Sequence, residues 1–280
     1  LDLTNPEVIG FIIGFIDKLL NENNISYIKW DMNRALGECG CAHLDKEEFR
    51  SIWYRHVQGF YSIIETLREK HPEVEFEACA SGGGRVDFGC MSRFDEFWTS
   101  DNTDPIDRLS IQETYSLLYP PKYMRTWITD AADNDNRRVP LSFRAHCAMC
   151  GALGIGMDLN RVGGGKLKEL AGYVEEYKAI RSVVQFGRLA RLKSCHRDDF
   201  HALQYDKDGE AVVFVFLTLR SRGKYEYTLK LVNLKEDVLY RFVLDGKEQC
   251  LSGSYLMYHG LALRMAADFT SKCIRLQEIK

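Results

Sequence analysis

A chain of 280 residues suffices for one large domain or two ordinary ones, and its 45% hydrophobic content can fill a substantial core. The formal net charge of -3 argues against nucleic acid and anionic membranes as partners. No apolar run reaches the ~18 residues that a membrane-spanning helix needs. Nine cysteines without a disulfide-scaffold spacing favour a reducing compartment, so we expect a cytoplasmic protein.

Strands and helices alternate along the first two thirds of the chain. Asn5 as N-cap and Pro6 in the first turn predict that a helix begins there. Apolar spacing then predicts strands over 25–30, 74–79, 94–100, 123–129 and 155–159, and helices over 45–70, 106–118, 141–153 and 166–184. Such βα units, with about five strands, indicate a parallel sheet, either barrel-like or doubly wound.

The pattern changes near residue 187. Short strands are predicted over 203–205, 211–218, 225–232, 239–243 and 273–278, with turns at 207–209 and 245–246. We therefore predict an α/β domain over residues 1–187, followed by an antiparallel β-sandwich domain over residues 188–280.

Polar residues follow directly after the predicted strands: Asp31, Cys79, Asp101, Asp130 and Asp158. In a (β/α)8 barrel the active site lies at the C-terminal ends of the strands, and a doubly wound sheet uses the same ends. This edge of the sheet is therefore the expected site.

The segment KWDMNR ends the first predicted strand. Because side chains alternate along a strand, Lys29 and Asp31 face the same way and Trp30 faces the other. Aromatic faces commonly stack on sugars, but this alternation favours packing of Trp30 behind the strand. A lysine beside an aspartate favours the charged carboxylate, and a positioned carboxylate can act as a nucleophile. A strand-end ion pair without catalytic function is the alternative.

A second carboxylate candidate lies in FWTSDNTD. Asp101 follows a predicted strand, and paired carboxylates with separate roles are typical of glycoside hydrolysis. The alternative is turn and cap chemistry, which suits Asp104 better because Pro105 follows it. The glycines of CASGGGR allow a close backbone approach to a ligand, although a plain turn is the simpler interpretation and the segment lacks the P-loop pattern.

Together, KWDMNR, CASGGGR and WTSDNTD resemble the α-galactosidases of glycoside hydrolase family 36. The resemblance implies a (β/α)8 TIM barrel, here with only about five βα units, followed by an antiparallel β domain. It also implies hydrolysis of terminal α-linked galactose from oligosaccharides such as melibiose and raffinose, with retention through a covalent galactosyl-enzyme. No cofactor or metal is expected, and a homo-oligomer is expected for a full-length protein.

The same resemblance assigns roles to residues. Asp31 is expected to be the nucleophile and Asp101 the acid/base, with their carboxyl groups ~5–5.5 Å apart as in retaining enzymes. Lys29 is expected to keep Asp31 ionised, whereas Asp101 has no sequence-adjacent cation and can protonate the leaving oxygen. Galactose contacts are expected from Lys29, Cys79, Gly82 and Gly83, with weaker support from Asn33, Arg85 and Asp87.

The chain departs from the family in two ways. The family's barrel has three further βα units before the K-W-D strand, and these supply an aspartate pair, a tryptophan and an arginine that bind the sugar. Since five strands cannot close a barrel, we expect this chain to be the C-terminal part of a longer protein and to be inert alone. Residues 128–138 also lack the family's histidine-containing pattern, which predicts a different aglycone pocket.

Two alternative functions stay open. A galactosyl transferase of the raffinose-synthase type shares the chemistry, although K-W-D rather than K-V-D favours the hydrolase. A non-catalytic carbohydrate-binding remnant would not need both Asp31 and Asp101.

Other candidate sites in the sequence are weaker. The Cys39–His43 segment has no zinc-site spacing, and Cys147 and Cys150 are expected to pack in the core. His196 and His201 are expected in turns or at the surface.

Overall fold

The structure is a computed structural model that describes residues 1–33, 37, 40–41, 44–130, 138–198 and 200–279. The chain divides into two compact units, residues 1–101 and 102–280. Within the described ranges, no helix is long and apolar enough to span a membrane.

The first unit is a parallel sheet with helices. Its elements in chain order are α1 (Pro6–Glu22), β1 (Tyr27–Asp31), a 3-10 helix (Glu48–Ser51), α2 (Ile52–Lys70), β2 (Glu75–Cys79), α3 (Phe88–Met91) and β3 (Glu96–Trp98). The strand β2 pairs in parallel with β1 on one side and β3 on the other. The register places Asp31 opposite Cys79, so two predicted site residues end adjacent strands.

Local sequence explains where the first elements begin and how they pack. The Asn5 side chain accepts a hydrogen bond from the backbone N–H of Glu7 at 2.9 Å, which confirms the predicted N-cap of α1. Trp30 meets Phe60 of α2 edge-on, with ring centroids 6.1 Å apart. Trp30 therefore packs behind the strand as predicted.

The second unit combines βα segments with antiparallel sheet. Its helices are α4 (Pro105–Tyr115), α5 (Leu141–Ala148), α6 (Gly164–Phe186) and α7 (Gly253–Tyr258), with 3-10 helices over Pro121–Tyr123 and Leu159–Arg161. Its strands are β4 (Met124–Thr129), β5 (Ala152–Gly156), β6 (Arg188–Lys193), β7 (His201–Lys207), β8 (Glu210–Leu217), β9 (Glu226–Leu229), β10 (Leu239–Leu244), β11 (Lys247–Ser252), β12 (Leu261–Arg264) and β13 (Thr270–Glu278).

Strand β8 is the centre of the second unit. The strands β4 and β5 pair in parallel, whereas the antiparallel sheet has the order β11-β10-β13-β8-β7-β6, and β12 pairs with β9 separately. Val213 and Val215 of β8 share a core with residues of β9 and β12. Phe214 and Phe216, on the opposite face, share a second core with residues of α5 and α6. The division at residue 187 stays a prediction.

The predicted elements differ from the structure mainly at their ends. The helix predicted over 141–153 ends at Ala148, and the following strand covers Ala152–Gly156. The run CAMCGALGIG is apolar throughout, so its periodicity does not separate helix from strand. His201, expected in a turn or at the surface, is 3% exposed at the start of β7, so that expectation was wrong.

Candidate active site

Asp31, at the end of β1, is surrounded by hydrogen-bond donors. Desolvation by burial raises its pKa, but hydrogen bonds from the Cys79 thiol, the Asn33 side chain and the backbone N–H of Met32 act in the opposite direction. The net result is a pKa below the usual value for aspartate. Asp31 is therefore ionised at neutral pH, as a nucleophilic carboxylate must be.

Lys29 contributes less to this ionisation than expected. Its Nζ atom forms an ion pair with Glu77 at 3.2 Å and lies 4.5 Å from the centroid of the Trp98 ring. The charge of Lys29 lowers the pKa of Asp31, but by less than each of the hydrogen bonds from Cys79, Asn33 and Met32. The charge of Lys29 therefore acts in the expected direction, but hydrogen bonds to Asp31 lower its pKa more.

Asp101 is held in place by Trp98. The indole Nε1–H of Trp98 donates a hydrogen bond to the Asp101 carboxylate at 2.9 Å. Trp98 is 3% exposed, whereas Asp101 lies at the surface of the unit. The same indole therefore contacts both Lys29 and Asp101. No sequence pattern singled out this tryptophan.

The glycine loop packs against the chain that leads from β3 to Asp101. Gly82 has a φ of +87°, and an added Cβ would lie 2.8 Å from the Ser100 Cα atom and 3.0 Å from the Asp101 backbone nitrogen. At Gly83 an added Cβ would lie 2.8 Å from the Thr99 carbonyl oxygen. These glycines are thus required for close backbone packing beside Asp101. Their contact with a sugar stays a prediction.

Three further predicted residues have identifiable structural contacts. The Asn33 side chain accepts a hydrogen bond from the Ser81 backbone N–H at 3.3 Å, which links the end of β1 to the glycine loop. The Arg85 guanidinium lies 4.5 Å from the Phe60 ring centroid, and desolvation by burial lowers its pKa. Asp87 caps α3. Arg85 and Asp87 therefore support packing, and a substrate contact of Arg85 stays a prediction.

A buried polar group beneath Lys29 was missed in the sequence. Glu77 and Glu96 are opposite each other in the register and are 1% and 7% exposed. The Tyr27 hydroxyl contacts both carboxylates, and its distance to Glu96 is 2.8 Å. Lys29 supplies a positive charge to this acidic pair, which explains why its ammonium group points to Glu77. An acidic residue within a predicted buried strand is the signal that could have revealed it.

Some predicted features lie outside the described residues. Residues 131–137, in the segment expected to shape the aglycone pocket, belong to this group, as do Cys39 and His43. The separation of the Asp31 and Asp101 carboxyl groups stays a prediction. Cys147 and Cys150 are buried with free thiols, which confirms that they pack in the core.

Two family models together match most of the chain. The melibiase model matches residues 1–187, and the model of the glycosyl hydrolase family 36 C-terminal domain matches residues 201–276. The five parallel strands and the antiparallel sheet accordingly represent a partial (β/α)8 barrel and its C-terminal β domain.

Similar proteins are α-galactosidases of greater length. The chain is 34% identical over 262 residues to α-galactosidase Mel36A of Lactobacillus acidophilus, covering 93% of this chain and 36% of that protein. It is 33% identical over 285 residues to α-galactosidase AgaA of Geobacillus stearothermophilus, covering 100% of this chain and 38% of that protein. The AgaA crystal structure matches with a TM-score of 0.95 at 32% identity, over 39% of its chain. Variants of AgaA have been crystallised with raffinose and with stachyose.

Proposed function

Because the chain belongs to the melibiase family of glycoside hydrolases, we propose that it carries the two catalytic carboxylates of a retaining α-galactosidase. The observation that supports this most directly is the set of hydrogen bonds that keeps Asp31 ionised at the end of β1. The substrates would be oligosaccharides with a terminal α-linked galactose, such as melibiose and raffinose. The solved complexes of AgaA variants with raffinose and stachyose support this substrate class.

The proposed reaction has two displacement steps. In the first, Asp31 attacks the anomeric carbon while Asp101 gives its proton to the glycosidic oxygen, so that the aglycone leaves as an alcohol. Esterification removes the negative charge of Asp31. In the second step Asp101 takes a proton from water, whose oxygen attacks the same carbon and releases galactose and the Asp31 carboxylate. Two inversions give net retention.

The proposed galactose contacts are arranged around these carboxylates. Lys29 lies within β1, and Cys79 is the last residue of β2. Asn33 hydrogen-bonds both Asp31 and the glycine loop. The loop with Gly82 and Gly83 lies against the backbone that leads to Asp101. Arg85 is proposed only as a supporting residue, since its guanidinium packs on Phe60.

We propose that turnover requires more of a barrel than this chain contains. The chain spans 36–38% of the length of the curated relatives described above, and its described residues form five parallel strands where a complete barrel has eight. The assignments to Asp31 and Asp101 are therefore best tested in a chimera. In it, residues 1–280 replace the matched segment of AgaA, and AgaA supplies the remaining chain.

Azide rescue distinguishes the two carboxylates in this chimera. In an Asp31→Asn variant, azide takes the place of the nucleophile and should give β-galactosyl azide from an activated α-galactoside. In an Asp101→Asn variant, Asp31 still forms the ester, and azide should give α-galactosyl azide. The opposite products would reverse the assignment, and Asn21→Asp on the exposed face of α1 serves as a control that should leave turnover unchanged.

Product analysis of the unmodified chimera tests the alternatives. Excess sucrose as acceptor should leave free galactose as the main product. A predominance of transferred galactose would favour the transferase. A chimera that melts cooperatively and binds galactose, but turns over nothing and forms no covalent adduct at Asp31, would favour a non-catalytic binding module.

A further inference from the structure

A second cluster of reactive side chains lies in the second unit, apart from the proposed carboxylate pair. Glu113 comes from α4, Cys195 from the loop after β6, and His201 from the first position of β7. Glu113 and His201 are 6% and 3% exposed, and Cys195 is half-buried. The mechanism proposed above uses none of these three residues.

The three side chains converge on one point. One carboxylate oxygen of Glu113, the sulfur of Cys195 and a ring nitrogen of His201 all lie within 4.8 Å of one another. The distance from His201 Nδ1 to Glu113 Oε2 is 3.2 Å. Zinc bonds of ~2.0–2.3 Å to O, N and S ligands in a tetrahedron place ligand atoms about 3–4 Å apart. The cluster can therefore reach this geometry with small side-chain rotations.

The imidazole of His201 presents an unused nitrogen to the cluster. Its Nδ1 atom is buried and lies 3.2 Å from Glu113 Oε2, but it makes no hydrogen bond of acceptable geometry among the described residues. The ring also hydrogen-bonds the backbone of Lys193. Metal-binding histidines characteristically use the second ring nitrogen in this way, which fixes the ring and directs the lone pair of the first at the metal.

The carboxylate of Glu113 is held in a fixed orientation. Its Oε1 accepts a hydrogen bond from the Ser194 hydroxyl at 2.6 Å, and its Oε2 accepts one from the Cys195 backbone N–H at 3.0 Å. The cluster thus offers a buried anionic oxygen, a nitrogen and a sulfur, which is the ligand set that zinc prefers.

We propose that Glu113, Cys195 and His201 form a binding site for a divalent transition-metal ion, with Zn²⁺ as the best match. The ion would tie α4 to the loop between β6 and β7, which serves a structural purpose. A solvent molecule can complete the coordination, because Cys195 is only half-buried. The Cys195 thiol would release its proton to solvent on binding, as cysteine ligands do.

Two neighbouring cationic side chains among the described residues have other partners. The Arg191 guanidinium donates to the backbone and hydroxyl oxygens of Ser116, and His196 is exposed with its Nε2 3.4 Å from the Ser110 hydroxyl. Without a metal, the cluster would be a network in which the Cys195 thiol donates to Glu113. Metal binding and this hydrogen-bonded network make different predictions.

The test uses the untagged 280-residue chain, stripped with a chelator and dialysed against Zn²⁺ or Co²⁺. We expect one zinc ion per chain by elemental mass spectrometry, and a thiolate-to-cobalt charge-transfer band in the near ultraviolet with Co²⁺. Cys195→Ser should abolish the band and weaken zinc binding by ~100-fold or more, since even loss of an outer partner costs ~10–100-fold. Cys250→Ser, at an exposed thiol of the same unit, is the matched control and should keep both signals.

Two results would overturn the proposal. One is a stripped wild-type chain that retains no zinc and gives no cobalt–thiolate band. The other is a Cys195→Ser chain that binds zinc as tightly as wild type. His201→Gln serves as a second ligand variant, and circular dichroism checks that each variant is folded. If a variant does not fold, the wild-type cobalt spectrum alone decides. Neither measurement depends on galactosidase activity, so failure here leaves the proposed function untouched.

Discussion

At the level of the single residue, the Cys79 thiol is the strongest hydrogen-bond contribution to the low pKa of Asp31. Replacing Cys79 with alanine removes this donor and makes the charged carboxylate less favourable, so the pKa of Asp31 should rise towards its usual range. A carbon-13 titration of the aspartate carboxyl groups by NMR would measure this shift. An unchanged or lower pKa in Cys79→Ala would contradict the assigned cause.

The matched control is Cys41→Ala, since the Cys41 sulfur lies 3.5 Å from the Thr4 hydroxyl and is not among the groups that shift the pKa of Asp31.

The direction of the Asp31 pKa shift also determines how this residue affects the stability of the fold. A carboxyl group whose folded pKa is lowered stabilises the fold above its unfolded pKa, and this contribution is lost as the pH falls through the folded pKa. Cys79→Ala should reduce this contribution, and Cys41→Ala should not.

Gly82 combines a left-handed backbone conformation with close backbone packing. A side chain there meets both an unfavourable φ of +87° and the Ser100 backbone at 2.8 Å. Gly82→Ala should lower the free energy of unfolding by at least ~1–3 kcal/mol, the usual cost of a strained backbone position. The control is Gly14→Ala on an exposed face of α1, where an added Cβ meets nothing within 4 Å. It should raise stability by up to ~1 kcal/mol. Urea unfolding of both variants measures their free energies of unfolding. Equal changes in the two variants would contradict the role assigned to Gly82.

At the level of elements, the sequence predicted those features that depend only on residues close together in the chain, such as helix starts, strand alternation and turns. Asn5 and Pro6 marked the start of α1, and the alternation of Lys29, Trp30 and Asp31 correctly placed Trp30 behind the strand. The turns at 207–209 and 245–246 were also found, each with two consecutive residues at positive φ. Each of these features is determined by residues that are neighbours in the sequence.

Features that depend on distant residues could not be predicted in this way. The strand β6 is rich in charge and becomes a strand only because β7 pairs with it. The pair Glu77 and Glu96 requires the register of β2 on β3 and the Tyr27 hydroxyl. The burial of His201 follows from packing in the second unit, which sequence spacing does not report. Tertiary contacts therefore decided each of these outcomes.

Helix α5 contains a buried histidine that should make the stability of the second unit pH-dependent. Burial lowers the pKa of His146 to about 4, and its Nδ1 lies 2.8 Å from the Ser271 hydroxyl. The unfolded chain binds a proton below its ordinary pKa of ~6.5, whereas the folded chain does so only below about 4. Stability should thus fall as the pH decreases from ~6.5 to 4, by about 3 kcal/mol for this group.

The comparison of His146→Gln with wild type isolates this effect, because burial also lowers the pKa of His201 and contributes to the total. Urea unfolding at pH 7 and at pH 5 should show a smaller loss of stability for His146→Gln than for wild type. His259→Gln, at an exposed position in the same unit, should keep the wild-type pH dependence. An identical pH dependence in all three proteins would exclude His146 as a source.

At the scale of the whole molecule, family membership and catalytic competence are separate properties. The chain matches AgaA with a TM-score of 0.95 over its full length, yet it covers only 39% of that protein. The sugar in a (β/α)8 barrel is surrounded by loops from many strands. A segment can therefore match the fold of its relatives and still lack part of the substrate site. Five parallel strands provide the proposed carboxylates but only part of that ring.

We therefore expect the 280-residue chain alone to hydrolyse an aryl α-galactoside at no measurable rate, although it carries both Asp31 and Asp101. The physical reason is that binding energy from the surrounding loops is what positions a substrate for attack, and correct positioning contributes ~7–11 kcal/mol to catalysis. Release of nitrophenol from the purified chain, compared with its Asp31→Asn variant and with the AgaA chimera, provides the measurement. Turnover by the chain alone that disappears in Asp31→Asn would show that five strands suffice, whereas turnover that persists in Asp31→Asn would indicate a contaminating enzyme.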